Sequence, residues 1–427
     1  MNTLQATDGW ILIVAPSKVA VLELSTGLRY GSQLTGISVQ SGRDVHHVLS
    51  RPPSRTIRIV TARQLLDVFS TKIPQVTGLR LVLCEGLEQL DPIYELAISL
   101  LRLATQSTPT RFLVISASLH DASDISKWLD INDQGKTTFR PKDRDQSLVV
   151  SKKTFTIPYS ASLFKAMARP AHRAIQHAPQ GSSALVFIPS RGQCRTIAQD
   201  LITQCTLEME TARGYIPDHV SDDVVGDYAA RFRDFSLLDF VTKGVGFFHP
   251  GIDKADRILM LDMFSEGVIR VLIVPKDSCW SVPVRAPVVI VMGTQYVHVG
   301  EDGASRQIKD YSLTELVRMQ SLAVQQSDNG HFYLFCQAEA LETYSRFLDD
   351  GLPLESLLPE SRTLRDWIRS FFGAKLDKQH IMDVLSFTFL AQRVVSNPSY
   401  YGFKSRNQEE SLSAIVDQLV EDITGKD

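Results

Sequence analysis

The sequence predicts an α/β protein built of two parallel-sheet lobes followed by a small helical domain, and three observations carry that prediction. Short, continuous runs of β-branched and aliphatic residues alternate with amphipathic stretches over about the first 340 residues. One polar stretch, Asp130–Asp145, interrupts the alternation, which then resumes. From Leu352 onward only helical periodicity remains.

The apolar runs are Trp10–Val14, Thr56–Val60, Leu79–Cys84 and Arg111–Ser116 before the interruption, and Ala184–Ile188, Gly244–Phe248, Val268–Val274, Val288–Met292 and His331–Cys336 after it. Strands that are apolar on both faces and separated by helical patterns belong to a parallel sheet covered on both sides. The closing segments ESRTLRDWIRSFF, DKQHIMDVLSFTFLAQRVV and QEESLSAIVDQLVEDI repeat apolar residues every three or four positions, as amphipathic helices do. Domains are therefore expected at 1–145, 146–350 and 351–427.

A chain of 427 residues exceeds what one core supports. Its net charge of −3 offers no global field to a phosphate backbone, so nucleic-acid binding would have to be local. The local basic run is Arg140, Lys142, Arg144, Lys152 and Lys153, broken by Asp143 and Asp145, which implies weak RNA binding at most. Cys84, Cys194, Cys205, Cys279 and Cys336 are scattered, without a CxxC pair, so neither a zinc site nor a disulfide framework is expected and a reducing compartment fits. The apolar run near the N-terminus is too short for a signal peptide, and no stretch reaches the roughly 18 apolar residues of a membrane span. An intracellular, soluble chain with no membrane partner is expected.

Candidate chemistry is sparse. Gly135-Lys136-Thr137 looks like the end of a phosphate-binding loop, but the glycine required five residues earlier is Asp130 and no strand precedes it, so a solvated turn is expected. Cys84-Glu85-Gly86-Leu87 ends an apolar strand, where phosphate-transferring enzymes place a magnesium-binding acid pair, yet the first acid is missing. No GxSxG nucleophile elbow occurs. Ser116-Ala117-Ser118 starts a loop after a strand, and His249-Pro250-Gly251 follows another, with Arg257 on the next helix. Each alone reads as structural.

In order along the chain, however, these fragments resemble the motifs of the Ski-type superfamily-two DExH RNA helicases. IVAPSKVAVLE is similar to motif Ia, LCEGLEQL to the DExH box, ISASLHDASDISKWLDI to the SAT motif and VFIPSRGQCRTIA to motif IV. GVGFFHPGIDKADRILMLDMFSEGVIRVLIV resembles the segment between motifs IV and V, and KDSCWSVPVRAPVVIVMGTQYV resembles motif V with its following strand. Ser278-Cys279-Trp280, FTIPYSASLFKAMARPAHRAIQHAPQ and LPLESLL with VLSFTFLAQRVVSNPSYYGF carry a closer likeness to the C-terminal cassettes of the large spliceosomal U-five dual-cassette helicases.

The resemblance implies two RecA-like lobes, the first truncated at its N-terminus, and a partial winged-helix domain. It places retained motif positions at Ser116, Ser118, Arg191, His249, Gly251 and Arg257. It also exposes departures. Motif I has no counterpart, so the first sheet is expected to lack its central strand and to be open or out of register there. The metal-linked acid of the DExH box falls on Cys84 and its histidine on Leu87, leaving only Glu85; motif V residues fall on Ser281 and Pro283. Motif VI begins at Arg318, and its arginine-bearing part reads Ser321, Leu322 and Gln325, with Leu322 and Gln325 where the family has arginines. The implied protein is a catalytically degenerate cassette, a protein-interaction and regulatory platform of pre-mRNA splicing in the nucleus. Its implied partners are spliceosomal proteins and an active helicase cassette. No cofactor is expected beyond vestigial binding of ATP and magnesium. The alternative is an ATP-dependent RNA helicase of the same family, or a truncated fragment of one.

Overall fold

The structure, a computed structural model, describes residues 9–32, 36–42, 45, 47–140, 143, 148–177, 182–209, 213–300, 304–324, 330–373 and 375–425. The chain divides into two compact units, Met1–Arg140 with Asp350–Asp427 and Pro141–Asp349. Both contain a parallel sheet, as the apolar runs require.

In the first unit β1 (Trp10–Ala15), β2 (Ser38–Ser41), β3 (Thr56–Thr61), β4 (Leu79–Glu85) and β5 (Arg111–Ile115) form a sheet ordered β2-β3-β1-β4-β5. All its pairings are parallel. β1 and β3 are buried along their whole length, the condition of strands covered on both faces. The helix Pro92–Thr105 begins at an Asp91 N-cap with proline in its first turn and lays Leu96, Leu100 and Leu101 into the core. The middle of this sheet is not open: β1 pairs with β3 on one side and with β4 on the other, the β1–β4 pair shifting register between Trp10 and Ile11. The open edges are the outer strands.

The C-terminal helices Arg362–Phe372, Lys378–Ser386, Phe389–Ser396 and Gln408–Thr424 belong to this same unit. Buried indoles tie them down: the Trp128 Nε1–H donates to the Phe387 carbonyl and the Trp367 Nε1–H to the Phe69 carbonyl, each at 2.9 Å. The Glu95 carboxylate, 1% exposed, accepts from the Leu390 amide at 2.8 Å and the Ser356 hydroxyl at 2.7 Å. Arg393 forms ion pairs with Asp124 and Glu355.

The second unit holds β6 (Leu148–Phe155), β7 (Ala184–Ile188), β8 (Val245–Phe247), β9 (Val271–Pro275), β10 (Val288–Met292) and β13 (Gly330–Gln337), ordered β6-β13-β10-β7-β9-β8 and all parallel. An antiparallel hairpin, β11 (Gln295–Val299) with β12 (Arg306–Asp310), stands apart from it. Among the described residues no helix is long and apolar enough to cross a membrane.

Candidate functional site

β4 delivers the DExH-like segment to the carboxyl end of the first sheet, where parallel α/β folds build their sites. Cys84 is fully buried, and burial pushes its thiol up to about 12, so it is neutral at physiological pH. Gly86 turns the chain in the left-handed region (φ 63°), where a Cβ would press on Gln89 and Pro16, and this turn seals Leu87 in the core at 0% exposure. The Tyr94 hydroxyl lies 2.8 Å from the Glu85 carbonyl and 3.0 Å from that of Val14, fixing the strand end. Glu88, which sequence reasoning did not single out, links β4 to the loop after β5: its carboxylate accepts from the Ser116 hydroxyl at 3.2 Å and the Ala117 amide at 3.0 Å. Its signal was an acid just past Leu87, beside the neighbouring strand's end.

Ser118 lies in the same loop, its carbonyl accepting from the Leu352 amide at 2.8 Å. Gly135 closes a 3-10 turn capped by the Asn132 side chain, and Lys136 pairs with Asp133 at 3.5 Å. This is the solvated turn expected, with no preceding strand to aim it.

In the second unit Arg191, His249, Gly251 and Arg257 converge although they are far apart in sequence. The Gly251 amide donates to His249 Nδ1 at 3.2 Å, and Arg257 donates to the His249 carbonyl at 3.3 Å while its guanidinium sits over the Phe248 ring. A Cβ on Gly251 would lie 3.6 Å from the Arg191 guanidinium. Burial, with Arg191 and Arg257 adding to it, holds His249 below the usual histidine range, so the ring is neutral at pH 7. Two guanidinium groups around a neutral imidazole form a cationic corner suited to an anion.

Motif VI contributes nothing comparable. Leu322 is 2% exposed and follows the helix Leu313–Ser321, where the Ser321 hydroxyl donates to the Arg318 carbonyl at 2.7 Å. Arg318 is turned to the Cys279 carbonyl at 3.2 Å. Gln325 lies outside the described residues. Nearby, Lys276 was also missed from sequence. Its ammonium is 7% exposed in its side chain, 2.8 Å from Asp277 and 2.9 Å from Glu315, and 4.1 Å from the Tyr296 ring centre. Burial lowers its affinity for the proton, but the two carboxylates outweigh that and hold it above the usual lysine range. This box braces the strand β9 against the motif VI helix.

The end of β4 is poor in hard oxygen ligands. Magnesium demands several hard oxygen ligands in octahedral array, and here a neutral thiol replaces one acid while Glu88 is engaged by the neighbouring loop. Among the described residues no cluster of three or more His, Cys, Asp or Glu side chains could hold a metal ion.

No family model matches the chain. Among known proteins it is 30% identical over 342 residues to the "U5 small nuclear ribonucleoprotein 200 kDa helicase" of Homo sapiens, covering 78% of this chain and 16% of that protein. The Drosophila melanogaster protein of the same description is 26% identical over 381 residues, covering 86% of this chain and 17% of that one. The Arabidopsis thaliana "DExH-box ATP-dependent RNA helicase DExH12" is 28% identical over 349 residues, covering 78% and 16% respectively. The chain thus spans about a sixth of the length of the relatives it matches. The two parallel-sheet lobes, the helical tail and these alignments agree, and the chain belongs with the DExH-box RNA helicases of the U5 200 kDa kind, as the homologue of one segment of them.

Proposed function

We propose that this chain is a catalytically degenerate helicase cassette that works as a protein-interaction and regulatory platform in pre-mRNA splicing, in the manner of a C-terminal cassette. The single observation that carries the reading is Cys84: where the motif needs a metal-linked carboxylate, the chain has a fully buried, neutral thiol. Leu87 and Leu322, buried where the family has a histidine and an arginine, support it. A lost arginine finger alone costs roughly 10³–10⁵ in rate, which is about 4–7 kcal/mol of transition-state stabilisation. On this reading the lobes keep their apolar framework as surfaces for spliceosomal proteins and for an active helicase cassette in the nucleus, and ATP, magnesium and RNA bind weakly or not at all.

The test is steady-state phosphate release from the purified chain with ATP, magnesium and saturating RNA, with Glu85→Gln as the contamination control. The two proteins should release phosphate at the same background rate. RNA-dependent turnover that disappears in Glu85→Gln would overturn the reading in favour of an ATP-dependent helicase.

A further inference from the structure

Arg231-Phe232-Arg233-Asp234-Phe235-Ser236-Leu237 is the one place in the sequence where a serine or threonine has arginines both three and five residues before it and an apolar residue after it. In the second unit this segment runs from the end of the helix Asp222–Ala229 into the 3-10 turn Phe235–Leu237. Arg231, Arg233, Asp234, Phe235 and Ser236 are exposed, Phe235 at 72%, while buried Phe232 and Leu237 anchor the two ends. The Arg233 and Asp234 amides donate at 2.9 and 3.0 Å to the carboxylate of Asp256, 0% exposed, so the loop is tied to the helix Lys254–Ser265 that carries Arg257. Arg231 lies over the Tyr228 ring and Arg233 stands 3.4 Å from Asp253; surface contacts of this kind are worth little and release readily. A third arginine stands against the serine itself. Arg195, in the first turn of the helix Cys194–Met209, donates to the Ser236 hydroxyl at 2.6 Å and lies 3.7 Å from Asp234. The Asp234 carboxylate in turn accepts from the Ser236 hydroxyl at 2.6 Å and from its amide at 2.9 Å.

We propose that Ser236 is a phosphorylation site for an arginine-directed protein kinase, with Arg195 as the group that receives the phosphate. A kinase groove lined with carboxylates pairs with arginines upstream of the serine and selects its substrate by that charge pattern. In the step itself the Ser236 Oγ attacks the γ-phosphorus of ATP held by the kinase, its proton passes to the kinase's catalytic aspartate, and the bond to the β-phosphate oxygen breaks as ADP leaves. Drawing the loop into the kinase lifts two amides from Asp256 and exposes the Leu237 side chain, a local opening that leaves the sheet in place. Modification then exchanges partners. The hydroxyl proton given to Asp234 is gone, and a group of about −2 charge with three strong acceptor oxygens takes its place beside Arg195. The dianion outweighs the single charge of Asp234 and draws Arg195 to itself. Negative charge is thereby added between the two elements that carry Arg191 and Arg257, which makes Ser236 a switch for the charge of this face. The proposal goes beyond the platform reading and does not depend on it.

The test treats the purified full chain with ATP, magnesium and a recombinant arginine-directed serine/threonine kinase, with a proline-directed kinase as the control because Leu237 follows the serine, and locates the phosphate by mass spectrometry. Phosphate is expected at Ser236 with the first kinase and not with the second. Ser236→Ala should lose it, and Arg231→Ala and Arg233→Ala, both at exposed positions, should each slow it by about tenfold or more, the scale of one lost charge-assisted hydrogen bond. Phosphorus NMR reads the receiving group. The second ionisation of a phosphoserine lies at about 6; in the folded chain it should fall below that of the excised phosphopeptide of residues 231–239 and return to it in Arg195→Met. A folded chain left unmodified at Ser236 while the excised peptide is modified would overturn the site, because the loop is then closed to the kinase. Modification of neither, or a rate indifferent to Arg231 and Arg233, would overturn it as well. An ionisation that Arg195→Met leaves unchanged would overturn Arg195 as the receiving group.

Discussion

Glu95 should make the stability of the first unit depend on pH in a direction opposite to that of an ordinary surface carboxylate. The side chain sits on the core face of the helix Pro92–Thr105 and receives hydrogen bonds from Leu390 and Ser356. Burial raises its carboxyl from 4.5 to about 7, against the hydrogen bonds, which favour the charged form. The native state therefore keeps a proton that the unfolded chain has already released. The associated stability is complete below the unfolded value of 4.5 and is lost as the pH climbs through about 7. A rise of 7 − 4.5 = 2.5 is worth about 3 kcal/mol at 1.36 kcal/mol per unit. About 2 kcal/mol of it disappears between about pH 5.5 and about pH 8.5. Glu95→Gln keeps the shape and an acceptor for the Leu390 amide but cannot ionise, so its stability should lack this slope. Urea unfolding of both proteins at the two pH values measures the difference, and all other titrating groups, Glu355 and Arg393 included, cancel in the comparison. Parallel stability profiles for wild type and Glu95→Gln would refute the reasoning.

Four further outcomes follow from the same geometry. Arg393→Met should destabilise the first unit by about 3 kcal/mol, because it strands the buried Asp124 and the partly buried Glu355 carboxylates; the check is a thermal melt. A native-state thiol titration at mildly alkaline pH should find none of the five cysteines reactive, all being buried, with Cys84, Cys194 and Cys279 pushed up to about 12 and Cys205 and Cys336 to about 11; all five should react in denaturant. Cys84→Asp should lower stability by about 3 kcal/mol, from an unpaired carboxylate in a site with 0% exposure, and a urea melt should show it. Single-stranded RNA should bind no more tightly than about 10⁻⁴–10⁻⁶ M at physiological salt, since Lys152 already faces Asp349 and Lys153 lies over Phe155; fluorescence anisotropy decides.

The sequence made the buried strands legible because burial on both faces forces continuous apolar runs: β1, β3, β4, β7, β8, β9, β10 and β13 stand where such runs occur, and so does the half-exposed β5. β2, β6 and the hairpin β11–β12 escaped for the complementary reason. An edge strand such as LVVSKKTF needs lysines to discourage further pairing, and an isolated hairpin needs no apolar run at all. The grouping of the C-terminal helices with the first lobe was also illegible. It depends on contacts such as Leu390 to Glu95 and Trp367 to Phe69, which join residues about three hundred positions apart and leave no local periodicity. At the site, Cys84, Leu87 and Leu322 gained meaning only through the ordered resemblance, whereas Glu88 needed the β4–β5 adjacency to be seen.

Three of the positions that depart from the family motifs, Cys84, Leu87 and Leu322, share a physical character. They are all within 2% of complete burial, and each is apolar where the resembling motif has a polar group that must be solvated or paired. Burying a leucine side chain contributes about 1.5–3 kcal/mol, while an unsatisfied buried polar group costs a comparable amount in the other direction. Catalytic polarity is tolerated in a fold because function demands it; on the proposed reading, that demand is gone at these positions and apolar side chains fill them. The second unit's His249, Arg191 and Arg257 did not follow that course: they keep a cationic corner with Arg191 exposed. On the proposed platform reading, polar groups are dispensable where the motifs would hold a metal and a triphosphate, while the second unit keeps its cationic corner.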